Sequence, residues 1–385
     1  MSVENKEKLS CPVAGKCGGC QLLHLSYAEQ LKKKQKRLMQ LCGKFGKFEP
    51  IIGMKQSYYY RNKVHAAFGE DRKHHIISGI YEESTHRIVP VDSCLLENQK
   101  ADAIIVTIRK LAASFQIPVY HEKSGYGLLR HVLIRTGCFS GQIMVVLVLT
   151  SPVFPSKNNF VKALLREHPE ITTIVLNVNH RYTSMVLGDK EQVIYGKGYI
   201  EDELLGKTFR ISARSFYQVN PLQTQKLYLK AMEFAKLSGK EVVLDAYCGT
   251  GTIGMLAADK AKEVIGVELN HSAVRDAKIN AKRNGVKNIF FYEKDAGEFM
   301  MQMAAQKAFV DVVLMDPPRT GSDEAFLGAL AALSPKRVVY ISCNPETLSR
   351  DMEYLVKQGY GFSQGVGVDM FPWTNSIEAV VCLEK

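Results

Sequence analysis

The chain has 385 residues, of which 46% are hydrophobic, enough for two or three domains that each bury a core. No apolar run reaches ~18 residues, so a helical membrane span is excluded, and the polar start lacks a signal-peptide core. A net charge of +11 and a pI of about 9.1 favour a polyanionic partner. We therefore expect a cytoplasmic protein with no obligate protein partner. In that compartment its nine cysteines suit metal binding or catalysis better than disulfides.

The first distinctive feature along the chain is a cysteine cluster within residues 1–49. It follows the pattern Cys11-x5-Cys17-x2-Cys20, and Cys94 lies far downstream. Four thiolates bind either zinc or an iron–sulfur cluster. Three close cysteines and a remote fourth favour the cluster, but spacing alone leaves zinc open.

A basic helix follows the cysteines. Ser26 is the expected N-cap, with Glu29 at the capping-box position. The cations form either part of an RNA-binding face or an ordinary solvated helix face. They are Lys32, Lys33, Lys34, Lys36 and Arg37.

Residues 50–204 are predicted to form a mainly β domain with one helix, Ala101–Phe115. The segment Cys138–Gly141 is expected to be a hairpin turn. The aromatic and basic residues of Tyr58–Lys63 suit base stacking and phosphate contacts, although such mixtures also occur at ordinary strand starts. The predicted strands are Lys63–Phe68, Ile76–Tyr81, His131–Thr136, Gln142–Leu149, Ile171–Val178 and Thr183–Leu187.

Residues 205–385 alternate apolar β-branched runs with helical patterns such as Ser272–Asn284. This alternation predicts an α/β, doubly wound parallel sheet, in which ligands collect at the carboxyl ends of the strands. The predicted strands are Val242–Ala246, Glu263–Glu268, Asn288–Glu293, Val310–Met315, Arg337–Ser342 and Glu378–Leu383.

A glycine-rich loop follows the first of these strands. Gly249, Gly251 and Gly254 fit G-x-G-x-x-G with Glu268 nineteen residues after Gly249, so a dinucleotide-binding dehydrogenase is an alternative. Three features favour S-adenosylmethionine and methyl transfer instead. They are Asp245 inside the strand, Asp295 after the third strand, and Asp316-Pro317-Pro318-Arg319 after the fourth.

Cys343 ends the fifth strand, and Glu378 begins the last one. A thiol beside a carboxylate suits methylation of a base carbon such as C5 of uracil. This carbon is a poor nucleophile, but a thiolate that adds at C6 makes C5 electron-rich. A base must later remove the C5 proton so that the thiolate is expelled. Cys343 suits the nucleophile and Glu378 the base, and we expect the site to lower the thiol pKa. Considered alone, Cys343 would be interpreted more simply as a buried structural thiol, and Glu378 as a surface carboxylate.

Together, these motifs resemble those of the RNA uracil-5-methyltransferase family over nearly the whole chain. Such enzymes combine a Rossmann-like methyltransferase domain, here 205–385, with a preceding mainly β RNA-binding domain, here 50–204, and a small iron–sulfur segment, here 1–49. The motifs are Cys11-x5-Cys17-x2-Cys20 with Cys94, Ser215–Asn220, Asp245–Gly251, Asp316–Arg319, Ser342–Pro345, and Asp369–Pro372 leading to Glu378.

The resemblance also implies roles for individual residues. A [4Fe-4S] cluster is implied on Cys11, Cys17, Cys20 and Cys94. S-adenosyl-L-methionine is expected to contact Gln218, Tyr247, Glu268 and Asp316. The roles of Cys343 as nucleophile and Glu378 as base are supported.

Two departures from the family pattern stand out. The cluster cysteines begin at residue 11, so we expect the TRAM domain of many relatives to be absent. Ser376 occupies a position where relatives commonly carry histidine, which puts any orienting role of that histidine in doubt. Because tRNA-specific members generally lack the cluster cysteines, 23S rRNA is the expected substrate. A tRNA methyltransferase, or an RNA-binding redox sensor without turnover, remains an alternative.

Overall fold

The computed structural model describes residues 10–83, 85–122, 124–183 and 185–385, which divide into two compact units. Unit 1 comprises the described residues of Met1–Leu23, Gln56–Glu203 and Arg210–Arg214, and unit 2 comprises His24–Lys55, Leu204–Phe209 and Ser215–Lys385. The cysteine segment and the basic helix, expected together in residues 1–49, thus belong to different units. The helix belongs to unit 2 because its buried side chains, Leu38 and Cys42 among them, pack into that core.

The helices of the described residues are α1 (Tyr27–Cys42), α2 (Gln99–Ser114), α3 (Lys157–Glu167), α4 (Pro221–Ala235), α5 (Thr252–Ala258), α6 (His271–Arg283), α7 (Ala296–Ala305), α8 (Glu324–Leu333) and α9 (Pro345–Lys357). Each of them is too short or too polar to cross a membrane. The capping box predicted for α1 is present, since Ser26 Oγ accepts a hydrogen bond from the Glu29 N–H.

The strands are β1 (Glu49–Ile52), β2 (Lys63–Glu70), β3 (Ile76–Tyr81), β4 (Ile88–Pro90), β5 (Leu129–Thr136), β6 (Ile143–Leu149), β7 (Ile171–Val178), β8 (Lys190–Tyr195), β9 (Tyr199–Leu204), β10 (Lys207–Ser212), β11 (Val242–Ala246), β12 (Glu263–Glu268), β13 (Ile289–Glu293), β14 (Val312–Met315), β15 (Arg337–Ser342), β16 (Gly361–Val368) and β17 (Glu378–Glu384). Strands and helices alternate from β11 to β16, as predicted. The sequence patterns do not predict α3, α4, β1, β4, β8, β9, β10 or β16.

Unit 2 contains an eight-stranded sheet in the order β1-β16-β17-β15-β14-β11-β12-β13. β11 to β15 are parallel to their neighbours in that group, but β17 runs antiparallel to both β15 and β16. The expectation of a wholly parallel sheet is therefore wrong at β17. The connection from β16 to β17 contains no helix, and a parallel return would need a crossover of a dozen residues or more.

Unit 1 contains a seven-stranded mixed sheet in the order β4-β3-β2-β5-β6-β7-β8. β5 and β6 are buried along their whole length, and Cys138–Gly141 turns the chain between them, as predicted. The predicted strand Thr183–Leu187 is wrong, because its described residues form a loop. The Asn179 side-chain amide holds that loop by donating to the carbonyls of Met185 and Val186.

Candidate active site

The carboxyl edge of the unit 2 sheet brings together residues that the sequence assigns to catalysis and to cofactor binding. Asp316 directly follows β14, and Cys343 directly follows β15. Glu378 is the first residue of β17, and the next residue, Ala379, pairs with Ser342 of β15. Because β17 is antiparallel, its beginning lies beside the end of β15. Cys343 and Glu378 are therefore neighbours on adjacent strands.

The Cys343 thiol is half-buried and lies in a negative environment. Burial and then the charges of Glu378 and Asp316 raise its pKa to about 11, while Arg319 acts in the opposite direction. The expectation that the site lowers this pKa is therefore wrong for the free protein. With this pKa the thiol of the free protein is protonated at neutral pH.

Glu378 is almost completely buried, with 4% of its surface exposed. Burial and then the charge of Asp316 raise its pKa well above the ordinary range, and Arg319 again opposes the shift. A carboxylate with a raised pKa is a stronger base once it is ionised. Arg319 is thus the cation that favours the charged forms of both Cys343 and Glu378.

The glycine-rich loop is tied to β11 by the carboxylate of Asp245. The N–H of Gly254 donates to Asp245 Oδ2 at 2.8 Å, and a Cβ added at Gly254 would lie 2.7 Å from the same oxygen. Only glycine allows this close approach without displacing the carboxylate. Burial raises the pKa of Asp245 to about 8.

Tyr247 directly follows β11 with a left-handed backbone, φ 62°, which is uncommon for a bulky residue. Its ring stacks on Phe326 with the centroids 4.9 Å apart, and its hydroxyl lies 3.5 Å from Ser322 Oγ. Such strained residues cluster at functional sites. Packing therefore holds the side chain of Tyr247 at the mouth of the glycine-rich loop.

Two further acids occupy the ends of neighbouring strands. Glu268 accepts the N–H of Gly249 at 3.1 Å with one carboxylate oxygen and the N–H of Asn270 at 2.8 Å with the other. A carboxylate has about four acceptor positions, so it retains capacity for hydroxyl donors. Asp295 instead caps α7 by accepting the N–H of Glu298 at 2.9 Å.

Gln218 lies just before α4, within the motif Ser215–Asn220. It hydrogen-bonds to the buried phenol of Tyr228, whose pKa is raised by burial and by the charge of Asp316. Burial also raises the pKa of Asp316, to about 7. The phenol of Tyr228 is therefore influenced by both residues, through a hydrogen bond from Gln218 and through the charge of Asp316. Sequence reasoning misses Tyr228, because its only signal is a tyrosine on the buried face of a helix.

The four predicted metal ligands line one cavity of about 90 Å³ in unit 1. Cys17 Sγ accepts the N–H of Gly19 at 3.5 Å, and Cys94 Sγ accepts the N–H of Leu96 at 3.4 Å. Within the described ranges, however, no three His, Cys, Asp or Glu side chains are arranged so that they could hold a metal ion. The cavity therefore gathers Cys11, Cys17, Cys20 and Cys94 without forming a finished ligand set.

Comparisons with known proteins cover nearly the whole chain. The sequence profile of the tRNA (Uracil-5-)-methyltransferases matches residues 26–385. An uncharacterized RNA methyltransferase of Halalkalibacterium halodurans is 45% identical over 97% of this chain and 82% of its own length. A second, from Clostridium acetobutylicum, is 41% identical over 97% and 83%.

A solved structure also resembles the chain over both units. It is the Pyrococcus abyssi tRNA (uracil-54, C5)-methyltransferase in complex with S-adenosyl-L-homocysteine. The two chains are 28% identical, with a TM-score of 0.80, and the likeness covers 97% of this chain and 87% of that one.

Proposed function

The chain belongs to the tRNA (uracil-5-)-methyltransferase family and is an S-adenosylmethionine-dependent RNA methyltransferase, and we propose that it methylates C5 of a uridine through a covalent adduct with Cys343. The observation that carries this mechanism is the pairing of β15 with β17. It sets a thiol beside a buried carboxylate at the edge where α/β sheets bind ligands.

The proposed reaction uses these two side chains in sequence. The Cys343 thiolate forms a bond to C6, and the electron pair of the C5–C6 double bond moves into an enolate. Bound S-adenosylmethionine would supply an electrophilic methyl group to C5 and would leave as S-adenosyl-L-homocysteine. Glu378 then takes the C5 proton, the C5–C6 double bond re-forms, and the C6–S bond breaks to release Cys343.

Activation of the thiol requires a change in local charge. Cys343 has a pKa of about 11 in the free protein, which leaves very little thiolate at neutral pH. Arg319 already lowers this pKa, and a further positive charge in the site would lower it more. The sulfonium of the methyl donor carries such a charge, so we propose that the thiol ionises only in the assembled complex.

We propose that four residues contact the methyl donor. Glu268 has remaining acceptor capacity for ribose hydroxyls, and Tyr247 is held beside the glycine-rich loop. Gln218 and Asp316 share the neighbourhood of Tyr228. This assignment is supported by the family resemblance and by the S-adenosyl-L-homocysteine bound to the Pyrococcus abyssi enzyme.

Two RNA classes are candidates for the substrate. The cysteines at positions 11, 17, 20 and 94 favour 23S rRNA, because tRNA-specific relatives generally lack them. The Pyrococcus abyssi enzyme, named as a tRNA methyltransferase, favours tRNA. In either case a loop or single-stranded uridine suits the chemistry, since flipping such a base out costs only a few kcal/mol.

We also propose that the unit 1 cavity holds a [4Fe-4S] cluster on Cys11, Cys17, Cys20 and Cys94. The four thiols line one cavity, and two of them accept backbone N–H bonds. No described ligand set is complete, so bound metal would have to draw the thiolates together. The cluster would supply a structural link between residues 11–20 and Cys94.

The proposal is tested with labelled S-adenosylmethionine, transcribed 23S rRNA fragments and tRNA. We expect label at C5 of a uracil, and a stable protein–RNA adduct with 5-fluorouridine RNA. Cys343→Ala should lower turnover by at least ~10³-fold while S-adenosyl-L-homocysteine still binds in calorimetry. Turnover that persists in Cys343→Ala would exclude the covalent mechanism. Preferential labelling of tRNA would favour the second substrate class.

A further inference from the structure

The segment between β16 and β17 leads directly into Glu378. It begins at Asp369, which is buried, and passes through Trp373, which is 4% exposed. Trp373 has a left-handed backbone, φ 70°. A bulky residue keeps this conformation only when its surroundings hold it there. The packing around the segment therefore controls where β17 begins and, with it, the position of Glu378.

Helix α1 holds this segment with three side chains from one face. Lys34 Nζ lies 2.5 Å from Asp369 Oδ1 and donates to the Phe371 carbonyl at 2.9 Å. Tyr27 donates to Asp369 Oδ2 at 2.8 Å. Gln30 accepts the N–H of Trp373. Residues three and four apart lie on one face of a helix, so a single face makes all these bonds.

Helix α4 holds the same segment through two amides. Gln223 donates to the Asp369 carbonyl at 3.0 Å, and Asn220 donates to the Met370 carbonyl at 2.8 Å. Gln218, a proposed contact of the methyl donor, lies just before this helix. The segment that leads into Glu378 is therefore hydrogen-bonded to the helix that follows Gln218.

The Lys34–Asp369 ion pair is buried, with side chains 2% and 0% exposed. Taking both charges out of water offsets much of their attraction, so a buried pair is a poor source of stability. It does fix geometry, because each partner satisfies several hydrogen bonds at once. Lys34 is also too buried to contact phosphate, unlike Lys32, Lys33 and Lys36, which are exposed. The basic helix thus carries Lys34 on its buried face and the other lysines on its exposed face.

We propose that Lys34 is a positioning residue for Glu378. Its buried pair with Asp369 fixes the 369–377 segment and so places the Glu378 carboxylate for proton removal from C5. This inference rests on the proposed function, in which Glu378 acts after methyl transfer. A displaced base slows only the last chemical step. The methylated RNA then stays covalently attached to Cys343 for longer.

The test compares Lys34→Met with Glu378→Gln, using unmodified RNA substrate and S-adenosylmethionine. We expect Lys34→Met to lower kcat by about 10- to 100-fold, because small misplacements of catalytic groups have effects of this size. KM for RNA should fall together with kcat as the adduct accumulates, so that kcat/KM changes by less than about threefold. A methylated protein–RNA adduct that survives denaturing gels should accumulate. Tyr27→Phe removes the bond to Asp369 Oδ2 and the acceptor of the Met54 N–H but leaves Lys34 in place. It should show the same pattern more weakly even if Lys34→Met folds poorly.

Lys44→Met is the matched control, because Lys44 forms an exposed ion pair with Glu353. It should leave kcat and adduct levels unchanged. A fall in kcat without adduct accumulation in both Lys34→Met and Tyr27→Phe would overturn the positioning role. A raised KM with normal kcat would overturn it in favour of RNA binding. If Glu378→Gln itself accumulates no adduct, the proposed base fails, and the role of Lys34 fails with it.

Discussion

The strand-end site of unit 2 and the cysteine cavity of unit 1 are organised in different ways. In unit 2, β15 and β17 place Cys343 and Glu378 side by side through backbone pairing. In unit 1, three of the four cysteines lie in a short loop segment, outside any strand or helix. The register of the sheet sets the unit 2 arrangement. The unit 1 arrangement depends on loop side chains, whose backbone is not held by strand pairing.

This difference explains why the two sites differ in completeness. A sheet register fixes neighbouring residues before any ligand binds. Cys11, Cys17 and Cys20 share a cavity with Cys94, but within the described residues they do not form a metal-binding group. A site of the second kind is completed by its ligand, whose binding energy contributes to folding. Loss of the proposed cluster should therefore affect unit 1 strongly and the proposed cofactor site of unit 2 little.

The largest expected effect tests this contrast directly. Cys94→Ser should abolish the visible absorbance of an iron–sulfur protein and lower the stability of unit 1 by at least about 3 kcal/mol. Cys138→Ser, at an exposed cysteine of the same unit, should do neither. Absorbance, thermal unfolding and calorimetric binding of S-adenosyl-L-homocysteine are measured for each. A loss of S-adenosyl-L-homocysteine affinity in Cys94→Ser would show that the two regions are not independent.

A smaller effect is expected from the buried acid beneath the glycine-rich loop. Asp245 has a pKa of about 8 when folded, above the ~3.9 of an unfolded aspartate, so stability falls as pH rises between these values. Asp245→Asn removes this penalty and should stabilise the ligand-free protein by about 1–3 kcal/mol at pH 8, and by less at pH 5. Thermal unfolding at the two pH values measures the difference. An equal gain at both would contradict the assigned pKa.

The smallest effect concerns the electrostatic coupling between Glu378 and Cys343. Because ionised Glu378 raises the pKa of Cys343, Glu378→Gln should lower that pKa from about 11 by about one unit. The pH dependence of iodoacetamide alkylation, followed at Cys343 by mass spectrometry, gives the value. Glu353→Gln, at an exposed acid paired with Lys44, should leave it unchanged. An unaltered profile in Glu378→Gln would mean that the two groups are not coupled.

Much of the candidate site could be predicted from sequence because its residues follow strand signals. Asp316 and Cys343 each come directly after an apolar β-branched run, and parallel strands bring such positions to one edge. The direction of β17 could not be predicted in the same way. It depends on which distant strands pair, and local periodicity is the same for parallel and antiparallel strands.

Lys34 marks a different limit of sequence reasoning. In the sequence it is one of five cations on a helix, and its neighbours Lys33 and Lys36 are exposed. Its partner, Asp369, lies 335 positions later in the chain. Burial of Lys34 depends on that tertiary contact. The raised pKa of Cys343 could not be predicted either, because it depends on burial and on two carboxylates that outweigh the single opposing arginine.

The pairing of β1 with β16 has a consequence for synthesis of the chain. Glu49 pairs with Val366, so a strand made early must wait for one made much later. Most of unit 1 is translated between them and has its own sheet, whereas unit 2 cannot complete its sheet until β16 and β17 leave the ribosome. Such distant contacts fold slowly. Nascent chains that stop before β16 should expose the apolar stripe of α1 and become clients for chaperones.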